Sequence, residues 1–223
     1  MAWLHVISPI MTYFRQRRLT ELLKMYPNLA NYSVLDVGGR PFIWNLLKEH
    51  YQVVPQRLIL LNNANEIAAV KSSSCEFDYE TQVADGCNLP YEDDSFDLVF
   101  SNSVIEHVGT YSQMAQFASE CSRVGKQIYI QTPNRWFPLE AHFGAAFVHW
   151  LPKPWYRRLS CLSVRHLFTY NDPEEKVHFK RSLDTTNLLS KQQLRSLFPQ
   201  KKIVAERVLG MAKSFIVISS VEA

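Results

Sequence analysis

The sequence predicts an α/β fold, a mostly parallel sheet with helices on both faces, and three observations carry that prediction. Short runs of buried-type apolar residues recur, as in Ser33-Val-Leu-Asp-Val37 and Arg57-Leu-Ile-Leu-Leu-Asn62. They alternate with stretches whose apolar side chains fall three to four positions apart, the helical spacing. The runs end in glycine, asparagine, aspartate or proline, which turn or stop the chain, so strand, turn and helix follow one another as βαβ units require.

Taken in order, residues 10–26 read as an amphipathic helix with Tyr13, Phe14, Leu19, Leu22, Leu23 and Tyr26 on one side, stopped by Pro27 and Asn28. Ser33–Val37 is short and apolar enough for a strand buried on both faces, and glycines follow it as a tight turn. A helix over 42–51 leads to the second strand, Arg57–Asn62, which the Asn62-Asn63 pair breaks. A weaker helix at 66–71 precedes a third strand at 81–84. Residues 96–101 form the fourth strand, 111–122 a helix, and 126–132 the fifth strand, stopped by Pro133. Residues 133–186, rich in Pro, Trp, Phe, His and Arg and without clean periodicity, are expected as an insertion or lid over the active edge. Ser190 with Gln193 three positions on is a capping-box signature for the last helix. Strands at 203–209 and 215–219 are separated by only a few residues around Gly210, which permits an antiparallel pair and excludes a parallel crossover.

At 223 residues and 47% hydrophobic the chain can bury a full core, and one domain over 1–223 is expected, with residues 1–30 as its N-terminal helix. Charge is nearly balanced, 24 Lys and Arg against 21 Asp and Glu, so nothing demands nucleic acid as a partner. Arg15, Arg17 and Arg18 form a small basic cluster that reads as a solvated helix face. The cysteines at 75, 87, 121 and 161 make no CxxC pair and no ligand spacing with histidine, so neither a disulfide framework nor a metal site is expected. No apolar run reaches membrane-spanning length, and the first arginines follow the apolar residues, the reverse of a signal peptide. A cytoplasmic protein is the expectation. The sequence leaves the oligomeric state open.

Ligands of open α/β sheets bind outside the carboxyl ends of the strands, where the strand order reverses. Four polar strand ends occur in the right order: Asp36-Val-Gly-Gly39, Asn62-Asn63, Asp85-Gly86 and Ser101-Asn102. Glycine at the first lets backbone approach a ligand closely.

Three segments carry a family resemblance: DVGGRPFIW (Asp36 to Trp44), SNSVIEHV (Ser101 to Val108) and QTPNRWFP (Gln131 to Pro138). Over roughly residues 30–220 the chain resembles class I S-adenosylmethionine-dependent methyltransferases, and more closely a bacterial type 11-like subgroup acting on small-molecule or glycan-type acceptors. The resemblance implies a Rossmann-like seven-stranded sheet with an antiparallel last strand, and S-adenosyl-L-methionine as cofactor across its carboxyl edge. Carried over by position, Asp36 and Gly38 would line the methionine and ribose portion and Asn62 would meet the ribose. Asp85 and Gly86 would flank the adenine, with Leu89 near the ring, and Ser101 would sit beneath the donor. The usual first motif has glycines where Arg40 and Phe42 stand, so Gly39 would take the tight-turn role and Arg40 would pair with the donor carboxylate. Asn62 replaces the family's usual acid.

A sulfonium donor is already activated, so the protein must mainly align an acceptor and exclude water. His107 and His142 are the candidate bases or acceptor contacts; for His107 the alternative is a helix-start histidine satisfying local backbone. Glu106, Arg135 and Glu140 are candidate acceptor-binding residues, the alternative for the last two being a structural ion pair. The aromatic residues between Trp136 and Trp155 form core, a lid, or a membrane-surface patch. A non-catalytic binding or scaffold protein on the same fold is the competing reading, and a nicotinamide oxidoreductase fares worse because no GxGxxG follows the first strand.

Overall fold

The computed structural model describes residues 2–71, 75, 77–140, 145–152, 155 and 184–219. Helix α1 (Ala2–Met25) leads through a short turn into strand β1 (Ser33–Val37) and helix α2 (Pro41–Tyr51). Then come β2 (Arg57–Asn62), α3 (Ile67–Lys71), β3 (Glu80–Val83), β4 (Phe96–Asn102), α4 (Tyr111–Val124) and β5 (Gly125–Pro133). A two-stranded ladder of β6 (Leu139–Glu140) and β7 (Ala145–Ala146) lies in the predicted insertion, and α5 (Lys191–Leu197), β8 (Lys202–Val208) and β9 (Met211–Ile218) close the chain.

The seven long strands form one sheet in the order β3-β2-β1-β4-β5-β9-β8. The first five are parallel, and β9 inserts antiparallel between β5 and β8. This is the Rossmann-like sheet with an antiparallel last strand that the resemblance implied. Strands β1 and β2 have the limits read from the sequence, and the others differ by at most one residue, except that β9 begins four residues early at Met211 because its pairing with β8 runs back to the Gly210 turn. Helix α1 begins eight residues before the predicted start.

Side-chain parity sends alternate strand residues into two cores. On one face Val34, Leu58, Leu60, Phe100 and Tyr129 pack against Leu19, Leu22 and Tyr26 of the α1 segment and Trp44 and Leu47 of α2. On the other, Leu35, Val37, Ile59, Val99 and Ile130 meet Met114, Phe117 and Cys121 of α4 and Leu194 of α5. Helices therefore cover both faces, which is why the central strands read as continuous apolar runs. Ser190 caps α5 as predicted, its hydroxyl accepting from the Gln193 amide while Gln193 Oε1 accepts from Ser190 N at 2.9 Å. Among the described residues no helix is long and apolar enough to cross a membrane.

Candidate functional site

A cavity of about 630 Å³ opens at the carboxyl ends of β1 to β4, where the strand order reverses. Gly38, Asn62, Asn63, Asp85, Gly86 and His107 line it with Val37, Val104 and Phe117. It thus gathers residues from three of the four predicted strand ends, while the fourth, Ser101-Asn102, gives none and the loop after it supplies Val104 and His107.

Each turn has a local cause. Gly38 sits at φ +77°, its amide donates to Leu61 O at 2.7 Å, and a Cβ there would lie 2.6 Å from Val104. Only glycine gives this turn without strain. A Cβ on Gly39 would overlap the Asp36 carboxyl group. Asn62 Nδ2 donates to Gly39 O at 2.7 Å, tying the first two strand ends together. The next turn closes on itself: Asp85 Oδ1 accepts from the Cys87 amide at 2.9 Å. Gly86 leaves room for Phe117 and Val37, 3.0 and 3.1 Å from where its Cβ would stand.

Four expectations are corrected. Asp36 shares the α2 face with Val34, so it turns away from the cavity and its Oδ2 accepts from Trp44 Nε1 at 2.8 Å. Burial raises its carboxyl to about 7, against the opposing pull of the Trp44 hydrogen bond, and Oδ1 has no hydrogen-bond partner among the described residues. Ser101 is fully buried and spends its hydroxyl on Val37 O at 2.9 Å, bracing β4 against β1. Arg40 points outward to Glu66, Nη2 to Oε2 2.7 Å, because the N-terminus of α2 leaves the sheet there. Leu89 lies in the core beneath the Asp85 turn.

The loop after β4 carries the acceptor-side candidates. Residues Ile105–His107 make one 3-10 turn, which buries Glu106 and leaves His107 exposed at the cavity. Glu106 Oε2 accepts from Thr132 Oγ1 at 2.9 Å, so this carboxylate faces β5, away from an entering acceptor. Asn187 braces the loop, its amide donating to Glu106 O at 2.7 Å and its Nδ2 to Gly109 O at 3.0 Å. Thr186 Oγ1 stands 3.5 Å from His107 Nδ1. The predicted insertion thus leaves the sheet at Pro133 and returns against the His107 loop.

Arg135 lies outside the cavity lining, its guanidinium 5.4 Å above the Trp136 ring. Its carbonyl accepts from Trp150 Nε1 at 2.9 Å and lies 3.1 Å from His149 Nε2. The Glu140 side chain and all of His142 fall outside the described residues.

Sequence reasoning named Asn63 only as part of the second strand end, and did not name Cys87, Gln113 or Phe117 as site residues. Asn63 Oδ1 accepts from the amides of Asn65 and Glu66, shaping the turn after β2. Gln113 was legible as the third residue of a capping box opened by Thr110. Phe117 had no local signal, since its contact with Gly86 spans distant parts of the chain. The Cys87 thiol is pushed up to about 11, first by burial and then by Asp85, so it is a protonated wall group. Asp85 is the one carboxylate in this lining among the described residues, and no Lys or Arg joins it. Such a lining suits a cationic or zwitterionic ligand with amino donors better than a pyrophosphate dinucleotide.

Comparison with known proteins agrees. Residues 44–127 match the family described as a methyltransferase domain. Solved structures with this fold include a chain of the complex between the Haloferax volcanii Trm112 methyltransferase activator and the putative methyltransferase. It is 12% identical, with 97% of this chain and 93% of that one covered at a TM-score of 0.55. A SAM-dependent methyltransferase from Aquifex aeolicus is 16% identical over 90% and 87%, TM-score 0.50. A putative Zn-dependent alcohol dehydrogenase from Rhodobacter sphaeroides is 10% identical over 91% and 88%, TM-score 0.56. At such identities these likenesses establish fold alone. No curated protein matches. Within that fold, the chemistry is indicated by the match of residues 44–127 to a methyltransferase domain, a family whose cofactor is S-adenosylmethionine.

Proposed function

We propose that the chain methylates a small-molecule or glycan-type acceptor, with the donor held in the β1 to β4 cavity and the acceptor entering beside His107. The observation that carries this reading is the cavity at the reversal of strand order. Its volume falls within the roughly 300–1,000 Å³ of small-ligand sites. The residues fit the donor. Gly38 brings backbone close, Asn62 and Asp85 offer side-chain oxygens for hydroxyl and amino donors, and Val37, Val104 and Phe117 give apolar walls for a ring.

When bound, the sulfonium supplies an already activated methyl group. The chain's residues then hold and orient the two partners and keep water out. His107, exposed at the rim, is assigned contact with the acceptor and removal of its proton where the acceptor is a hydroxyl. Glu106 acts through the loop it pins, and Arg135 reaches an acceptor only outside the cavity.

The test is calorimetric titration with S-adenosylhomocysteine, followed by donor-dependent labelling of separated small-molecule and glycan fractions. Binding with a micromolar-range Kd, roughly −8 kcal/mol, is expected. No heat at about millimolar ligand overturns the donor assignment, a Kd limit near −4 kcal/mol. Labelling confined to protein or nucleic acid overturns the acceptor class.

A further inference from the structure

The outer half of the same sheet edge, over β5, β9 and β8, carries an exposed apolar surface that donor binding does not use. Trp136 is 59% exposed, Leu139 58% and Phe147 53%, and Trp150 lies against two of them, 6.2 Å from Trp136 and 5.0 Å from Phe147 between ring centroids. These rings are held in place, because Trp150 Nε1 donates to the Arg135 carbonyl. A second apolar piece adjoins them. Asn134 donates to Ala212 O at 2.7 Å and to Lys213 O at 3.0 Å, which ties the segment to the β8–β9 turn, where Leu209 is 93% exposed and Met211 47%.

Cations stand beside this surface. Arg135 lies over Trp136, Arg207 reaches Gly210 O at 2.8 Å, and Lys213 stands 4.2 Å above the Phe14 ring. The nearby carboxylate, Glu206, is taken by Arg18 at 2.8 Å.

We propose that this edge docks the protein on an anionic lipid surface, with Trp136, Leu139, Phe147, Leu209 and Met211 entering the headgroup region and the cations meeting lipid phosphates. Tryptophan and leucine beside Arg and Lys is the composition that interfacial binding favours, and cations near an anionic leaflet add to the attraction. A two-fold pairing of copies through this face would bring Arg135, Arg207 and Lys213 toward their own kind, which opposes self-association. The inference does not depend on the methyl-transfer reading.

Co-sedimentation with vesicles of phosphatidylcholine, with and without about one quarter phosphatidylglycerol, tests it. The full chain is expected to pellet with the anionic vesicles and to release by about ten-fold in roughly 0.5 M NaCl, where surface charges are screened. The double variant W136S/L139S should lose about ten-fold in partitioning through lost apolar burial, with unchanged melting temperature and unchanged S-adenosylhomocysteine affinity. Failure to pellet with either vesicle overturns the proposal. So does W136S/L139S binding like the parent, or sedimentation velocity showing a dimer that this variant dissolves. Because vesicle binding needs no donor, its failure stands apart from any failure of donor binding.

Discussion

Thr132 Oγ1 and Glu106 Oε2 are 2.9 Å apart with both side chains at 0% exposure, so the end of β5 pins the turn that follows β4. The pin turns Glu106 inward and the next residue, His107, outward to the cavity. Loss of the threonine hydroxyl removes a hydrogen bond to a buried carboxylate, at a cost of about 1–3 kcal/mol. Thr132→Val should lower unfolding free energy by that amount in urea titrations and reduce turnover, while donor affinity stays near the parent's. A variant as stable and active as the parent would show that the pin is dispensable.

Asp36 predicts an unusual dependence of stability on pH. Its carboxyl is raised to about 7 by burial, so the folded chain keeps this proton through a range in which the unfolded chain has released it. The favourable contribution is complete below the ordinary aspartate value and is lost as pH rises toward 7. Asp36→Asn still accepts from Trp44 Nε1 but cannot ionise. Relative to the parent it should gain stability steadily between about pH 4 and pH 8, by up to roughly 4 kcal/mol for a shift of this size. Chemical unfolding across that range checks it, and parallel pH curves for the two proteins would refute the assignment.

These two residues also show what the sequence could and could not tell. The sheet was legible because apolar runs and turn formers are local signals, and both capping boxes are spelled out within four residues. Asp36 and Ser101 are polar residues at strand ends that read as ligand contacts, yet each side chain's direction depends on strand parity and on a partner elsewhere. Trp44 claims Asp36 and the Val37 carbonyl claims Ser101. Arg40 meets Glu66 twenty-six positions away, and no periodicity announces that pair. The turns at Gly38 and Asp85 were legible because glycine and aspartate there act on their own backbone. The acceptor side was poorly legible because residues 133–186 have no repeat to read.

Asp85 should separate donor binding from folding. It is exposed, and its side chain accepts the turn hydrogen bond from the Cys87 amide. Asp85→Ala removes the sole carboxylate of the lining among the described residues. A hydrogen bond to a charged group contributes about 1.5–3 kcal/mol, so S-adenosylhomocysteine affinity should fall by roughly ten-fold or more in calorimetry. The melting temperature should move by only a few degrees, since about 1 kcal/mol or less of turn stability is lost. Unchanged affinity would move the amino-binding role elsewhere on the edge.

His107 should divide the kinetics in the opposite way. The 3-10 turn, the Asn187 bonds to Glu106 O and Gly109 O, and the capped start of α4 fix its backbone independently of its ring. Removal of the imidazole therefore leaves the loop standing, and Thr186 Oγ1 lies a loose 3.5 Å from its Nδ1. If the ring takes the acceptor's proton, His107→Ala should lower kcat by about 10²-fold or more while S-adenosylhomocysteine affinity and melting temperature remain at parent values. A rise in KM at constant kcat would assign the ring to acceptor binding alone. A fall in melting temperature matching the loss of activity would make His107 a support of the loop, since turnover would then track the folded fraction.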